Sequence, residues 1–138
     1  MKYPTIIIFG ILFSVAQHST AQCDSLTDYC MRYLSSDFIS DGQTYKALLT
    51  GDEVAEFNTT LFKGTTYRIA ACSGSSDNTL IFKIVDQDKN ILFSNVDFST
   101  SPYWEFMVEF TMPVTIETML DNNKSDSGCA TIVIGFQK

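Results

Sequence analysis

Residues 103–110 read YWEFMVEF, and side chains of two kinds alternate along this stretch. An alternation with a period of two places successive side chains on opposite faces of a β-strand. One of the two faces is entirely apolar, so the stretch predicts a strand with one face buried. The apolar face carries Trp104, Phe106, Val108 and Phe110, and the other face carries Tyr103, Glu105, Met107 and Glu109.

Short segments with the same period lie on both sides of this strand, and turn residues such as Gly51-Asp52 and Lys63-Gly64 separate them. Because no helical pattern lies between the segments, they are expected to pair antiparallel and to form two stacked sheets. The segment 79–86, TLIFKIVD, is apolar on both faces, as a central strand is. The other candidate strands cover residues 45–49, 55–61, 67–71, 91–95, 114–120 and 129–136.

A different period precedes the first strand. The spacing of apolar side chains over residues 24–38 predicts one amphipathic helix, with Ser25 as its N-cap and Asp28 near its positive end. Its apolar stripe needs a partner, so we expect the helix to dock on a sheet or across one end of the sandwich. The stripe consists of Leu26, Tyr29, Cys30, Tyr33, Leu34 and Phe38.

Three stretches of the chain resemble the bacterial pre-peptidase C-terminal domain and its jelly-roll relatives. They are AEFNTTLFKGTTYRIAAC at 55–72, TLIFKIVDQDKNILF at 79–93 and SGCATIVIGF at 127–136, within a resemblance that covers residues 43–137. The resemblance implies a secreted accessory module without an active site of its own. The expected fold is therefore all-β: an antiparallel jelly-roll-like β-sandwich of about eight strands with one N-terminal helix.

The first residues have the layout of a secretory signal. Lys2 is followed by an apolar stretch from Ile6 to Ala16 and then by Ser19 and Ala21, small residues at the positions that precede a cleavage site. The apolar stretch is shorter than the roughly 20 residues of a membrane-spanning helix. We therefore divide the chain into a signal peptide (1–21), a helix and linker (22–42) and a β-sandwich domain (43–138), and expect no stable membrane span. A lipid anchor on Cys23 is the alternative, although Gln22 is not the small residue that lipidation needs before the cysteine.

The mature chain is predicted to be short and acidic. Removing residues 1–21 leaves 117 residues, of which 16 are acidic and 8 basic, for a net charge of −8. This length fits one domain. The charge disfavours nucleic acid and anionic lipid headgroups as partners, and it suits solubility outside the cell.

The single histidine of the chain, His18, lies in the predicted signal peptide. A mature chain without histidine has no Ser-His-Asp or Cys-His nucleophile and no His-ligated metal. Paired carboxylates and a Ser-Lys pair stay open as catalytic groups. Glu105 and Glu109 share a strand face about 13 Å apart at 3.3 Å per residue, beyond the roughly 5 to 9.5 Å of paired glycosidase carboxylates. We nominate no catalytic residue and no cofactor.

Four cysteines remain in the exported chain, and an even number in an oxidising compartment predicts two disulfides. Cys72 ends one predicted strand and Cys129 begins the last one, so sheet pairing would bring them together. Of the three pairings, we favour Cys23–Cys30 with Cys72–Cys129, provided that Cys23 precedes the helix and folds back.

Two polar loops carry oxygen ligands at alternate positions. Asp86, Asp88 and Asn90 resemble the start of a calcium loop, but Ile91 stands where that loop requires glycine. A hairpin turn is the interpretation we favour, and residues 121–128, DNNKSDSG, are interpreted in the same way.

A ligand platform is predicted at the loop 98–103. Aromatic rings stack on sugars in many β-sandwich modules; Trp104 lies on the predicted buried face, so Tyr103 is the candidate. The sequence as a whole predicts a secreted or periplasmic non-catalytic module that binds a protein or a glycan. The alternatives are a small carboxylate-dependent hydrolase and a structural or inhibitory partner of a larger exported protein.

Overall fold

A computed structural model describes residues 21–74 and 79–138, and the predicted signal peptide lies outside them except for Ala21. The described residues form one α-helix, eight strands and two 3-10 helices. The α-helix α1 is Ala21–Met31, and the 3-10 helices are Arg32–Leu34 and Asn95–Phe98. The strands are β1 Phe38–Thr50, β2 Val54–Leu61, β3 Thr66–Cys72, β4 Leu80–Val85, β5 Ile91–Ser94, β6 Tyr103–Met107, β7 Met112–Leu120 and β8 Ser127–Gln137.

The eight strands form two antiparallel four-stranded sheets, which confirms the predicted fold class. The front sheet has the order β1-β8-β3-β6 and the back sheet the order β2-β7-β4-β5. This is the strand order of a jelly roll. Strands β5 and β6 are the last strands of their sheets on the same side of the sandwich, where one 3-10 helix, Asn95–Phe98, connects them.

The core lies between the two sheets, and β4 is an inner strand of the back sheet, as its apolar sequence predicted. Phe82 and Ile84 of β4 belong to one buried cluster together with Ile69 of β3 and Ile132 of β8. Strand β8 is buried on both faces over most of its length because α1 covers the outer face of the front sheet.

The predicted docking of the helix on a sheet is confirmed, but the helix is shorter than predicted. It ends at Met31, a 3-10 turn follows, and Ser35 has a positive φ of 59° that stops any helical continuation. Cys30 and Leu34 are buried against the sheet, whereas Tyr29 of the predicted stripe is exposed. Phe38, the last residue of that stripe, already belongs to β1.

Gly135 in β8 allows the close approach of the turn that follows α1. A Cβ atom added at Gly135 would lie 3.0 Å from Leu34 Cδ2 and 3.2 Å from Phe38 Cβ. Both neighbours are buried, so they have little room to move. The glycine thus seats Leu34 on the sheet.

The disulfides join the helix to the sheet. Cys23 is bonded to Cys129 and Cys30 to Cys72, with Cα atoms 5.6 and 5.8 Å apart. The predicted pairing is therefore wrong, although no cysteine is free, as predicted. Cys23 and Cys30 both lie within α1. Seven residues make about two helical turns, so the two side chains lie on one face of the helix. The rise of about 10.5 Å along the helix axis keeps them too far apart to bond to each other. In the pair of β3 with β8, Cys72 lies opposite Thr131 and not opposite Cys129. Cys129 is therefore a diagonal neighbour of Cys72, and such neighbours are about 7–8 Å apart, farther than a disulfide spans.

These bonds also bear on localisation. Disulfides form in oxidising compartments, so the protein is secreted or periplasmic, as predicted. The sulfur of Cys23, which a lipid anchor would need, is bonded to Cys129.

The loop of Asp86 is a hairpin turn between β4 and β5, as favoured from the sequence. The Asp86 carboxylate accepts hydrogen bonds from the backbone N–H groups of Asp88 and Asn90 and from the Asn90 side-chain amide. The carboxylate therefore closes the turn within its own loop.

Replacing Asp86 with alanine is expected to lower Tm at neutral pH. The Asn90 side-chain amide, followed by the backbone N–H of Asn90, holds the pKa of Asp86 below its ordinary value of 3.8. A carboxyl group with a lowered folded-state pKa stabilises the fold above its unfolded pKa and loses that contribution as the pH falls through the folded one. Thermal unfolding over a pH series should show the Tm difference at full size at neutral pH and shrinking below pH 3.8. The control Asp88→Ala should match the wild type; a pH-independent Tm difference for Asp86→Ala would refute the electrostatic account.

Candidate binding cleft

An apolar cleft of about 330 Å³ opens between β5 and β6, where the two sheets part. Buried core side chains form its floor and exposed side chains form its rim. Because its volume lies in the range of small-molecule and side-chain pockets, the cleft can accept an inserted apolar group. Its lining consists of Leu61, Ile84, Leu92, Phe93, Trp104, Phe106, Met107, Val108, Glu109, Phe110 and Met112.

Three aromatic rings in mutual contact lie where the chain passes from β5 to β6. The ring of Trp104 lies 4.5 Å from that of Phe93 and 4.3 Å from that of Phe98, measured between centroids. Phe98 comes from the 3-10 helix that connects the two strands. The rings hold the edges of the two sheets together at this end, and the cleft opens beyond them.

Asn95 fixes the 3-10 helix that carries Phe98. Its side chain is fully buried, accepts a hydrogen bond from the Phe82 N–H, and donates to the carbonyls of Leu80 and Ser101. Sequence reasoning missed this residue, because an asparagine beside an apolar strand is usually a turn residue.

The rim of the cleft is unusually apolar for a surface. Phe110 is 68% exposed, Met107 64% and Leu92 48%. The prediction that Phe110 lies on the buried face of its strand is wrong. Strand β6 ends at Met107, and after Val108, which bonds to Gly64 and Thr65, the chain bends towards the back sheet. Exposed apolar side chains around a concavity are typical of interaction sites.

The structure separates the two glutamates of the 103–110 segment. Glu105 lies on the outer face of the front sheet in an ion pair with Arg68, at 2.8 Å, while Glu109 lines the cleft. No lysine or arginine is among the described residues that line the cleft. The cleft therefore carries one carboxylate and complements a cation.

Tyr103, the predicted ligand platform, lies beside the 3-10 helix Arg32–Leu34 and does not line the cleft. Its ring contacts the Arg68 guanidinium at 4.8 Å and the Tyr33 ring at 5.8 Å, and Tyr103 stays 38% exposed. Arg68 also lies 4.6 Å from the Phe38 ring and donates to the Tyr33 carbonyl. Through these contacts Tyr103 packs against the residues that follow α1. Ligand binding at Tyr103 stays a prediction.

Neither polar loop gathers metal ligands. Asp121 accepts from the Asn123 N–H and pairs with Lys124 at 3.6 Å, much as Asp86 closes its own turn. Over residues 21–74 and 79–138, no three side chains of the His, Cys, Asp and Glu types lie close enough to hold a metal ion.

Within the same residues, no helix has the length and apolar character that crossing a bilayer requires.

Comparison with known proteins gives a likeness of fold. No protein-family model and no curated protein sequence matches the chain. Among solved structures, it is similar to the crystal structure of Aeromonas hydrophila PliG, a periplasmic lysozyme inhibitor of g-type lysozyme. The two share 13% sequence identity with a TM-score of 0.54, over 69% of this chain and 85% of that one. At this identity the similarity concerns the fold, and the resemblance to the pre-peptidase C-terminal domain stays a prediction.

Proposed function

We propose that the protein is an exported, non-catalytic module that binds another protein through the β5–β6 cleft. The observation that carries the proposal is the cleft itself: a concave apolar surface with exposed Phe110, Met107 and Leu92 at its rim. Burying such side chains against a partner removes apolar surface from water at roughly 25 cal/mol per Å².

The lining favours a protein over a glycan. Sugars need several polar side chains to satisfy their hydroxyl groups, and Glu109 is the one ionisable residue among the described residues of the lining. Tyr103, the ring proposed to stack on a sugar, is in contact with Arg68. An apolar side chain of a protein matches the cleft better.

An exported hydrolase is the partner class that we propose, with inhibition as the consequence of binding. The support is of two kinds: PliG, which has a similar fold, is a lysozyme inhibitor, and the disulfides suit a protein that meets such enzymes outside the cytoplasm. The chain's own acidic charge favours a basic partner.

Titration calorimetry against a panel of purified exported hydrolases, beginning with a g-type lysozyme, tests the proposal. We expect at least one member to bind and to lose activity in the complex. Leu92→Glu should weaken that binding about tenfold or more, because it places a charge in a desolvated interface. Val54→Glu is the matched control, since Val54 is 50% exposed and lies on β2 at the other side of the sandwich.

Two results would count against the proposal. Equal binding by the Leu92→Glu and Val54→Glu variants would move the site away from the cleft. Turnover of a substrate by the protein alone, abolished by Glu109→Gln, would make it the carboxylate-dependent hydrolase of the alternative interpretation.

A further inference from the structure

We infer that the cleft takes an extended segment of the partner that adds to β6 as a fifth strand of the front sheet and carries basic and apolar side chains. This inference rests on the proposed function and specifies the kind of contact. It follows from the hydrogen-bonding state of β6, from the position of the cleft beside it, and from the charge around both.

Strand β6 has a free edge. Among the described residues, β3 is the one strand that pairs with it. The Val108 N–H donates to the Thr65 carbonyl and the Pro102 carbonyl accepts from the Ala71 N–H. Antiparallel pairs exchange hydrogen bonds at alternate residues. The even-numbered residues of β6 therefore bond to β3, and the backbone groups of Glu105 and Met107 face outwards.

The cleft lies beside this edge. Successive side chains of an added strand would point to opposite faces of the sheet, so every second side chain would point between the two sheets. At that position the cleft offers the exposed Leu92 of β5, the buried Phe93 and the half-buried Phe106 as neighbours. Main-chain bonds to β6 would give affinity, and the cleft would select an apolar side chain.

Charge selects a basic segment and disfavours a second copy of this chain. Glu109 lines the cleft without any lysine or arginine among the described lining residues. The full chain has a net charge of −7, so two copies meeting at this edge would repel each other. Lysine or arginine on the partner would instead find the Glu109 carboxylate, which has no ion-pair partner among the described residues.

Synthetic octapeptides test the inference directly. The panel alternates lysine with valine, isoleucine, leucine or phenylalanine, and a matched panel carries glutamate in place of lysine. At least one lysine peptide should bind the wild-type protein, and its glutamate counterpart should bind about tenfold more weakly or not at all. Methylating the peptide's backbone nitrogens on the bonding edge should abolish binding.

A pair of protein variants isolates the backbone contact. Met107→Pro removes an N–H that points outwards and does not bond to β3, and an edge strand tolerates proline at such a position. Met107→Ala removes the same side chain and keeps the N–H. Circular dichroism and Tm establish that both are folded. Met107→Pro should bind the lysine peptide about tenfold more weakly than Met107→Ala.

The outcomes separate this inference from the proposed function. Suppose that Leu92→Glu weakens hydrolase binding, but no peptide binds or both Met107 variants bind the peptide equally. Strand addition would then be overturned, and the cleft would remain as a docking site. Dimerisation in sedimentation that Met107→Pro abolishes would also overturn it, because the occupant would then be a second copy. Lysine-peptide binding that Met107→Pro alone weakens would support strand addition whichever hydrolase is inhibited.

Discussion

Replacing Cys23 and Cys129 together with serine should lower the free energy of unfolding by about 4 to 5 kcal/mol, because this disulfide closes a long loop. The two residues are 106 apart in the sequence, so the cross-link removes much conformational freedom from the unfolded chain. Urea unfolding of the oxidised wild type and the double variant measures the difference. Because the free energy of unfolding of a small domain is itself small, this loss should leave the double variant only marginally stable.

The second disulfide provides the comparison. Cys30 and Cys72 are 42 residues apart, so replacing both should cost somewhat less in the chain-entropy account. Peptide mapping without reduction should first recover fragments that link Cys23 to Cys129 and Cys30 to Cys72. A fragment that links Cys23 to Cys30 through a disulfide would overturn the pairing and the position of α1 with it.

Asn95→Ala should cost about 2 to 4 kcal/mol, since it leaves buried backbone groups without partners. The Phe82 N–H loses its acceptor and the Leu80 carbonyl its donor, and both groups belong to the core strand β4. The same change releases the 3-10 helix that carries Phe98, so partner binding at the cleft should weaken as well. Urea unfolding and titration calorimetry measure the two effects.

Asp97→Ala is the matched control for that prediction. Asp97 lies in the same 3-10 helix and its side chain is exposed, so its removal should change stability by less than about 0.5 kcal/mol. Should Asn95→Ala prove as stable as Asp97→Ala, Asn95 would not be the residue that fixes this connection.

The strands were predictable because burial on one face leaves a period of two in the sequence. Segment 114–120 alternates in this way, and β7 buries Val114, Ile116, Thr118 and Leu120 towards the other sheet. Segment 79–86 is apolar on both faces and forms an inner strand. The end of α1 was less predictable, because Tyr33, Leu34 and Phe38 continue a helical spacing although a 3-10 turn and then a strand carry them.

The binding cleft was not predictable, because it arises between residues far apart in the chain. Its walls come from the edges of two sheets, and no local pattern indicates that β5 and β6 end up on the same side. Phe110 continues the apolar alternation of β6, yet it points outwards after the chain leaves the sheet. The cysteine pairing failed for a similar reason, since the helix face that carries both Cys23 and Cys30 depends on where α1 begins.

Amide hydrogen exchange of the protein, alone and with the tightest-binding hydrolase of the panel, tests most directly that the β5–β6 side is the binding surface. The account predicts slower exchange at residues 91–94 and 103–110 in the complex, with α1 and β2 unchanged. Slower exchange confined to α1 or to β2, or a panel in which no hydrolase slows any amide, would contradict it.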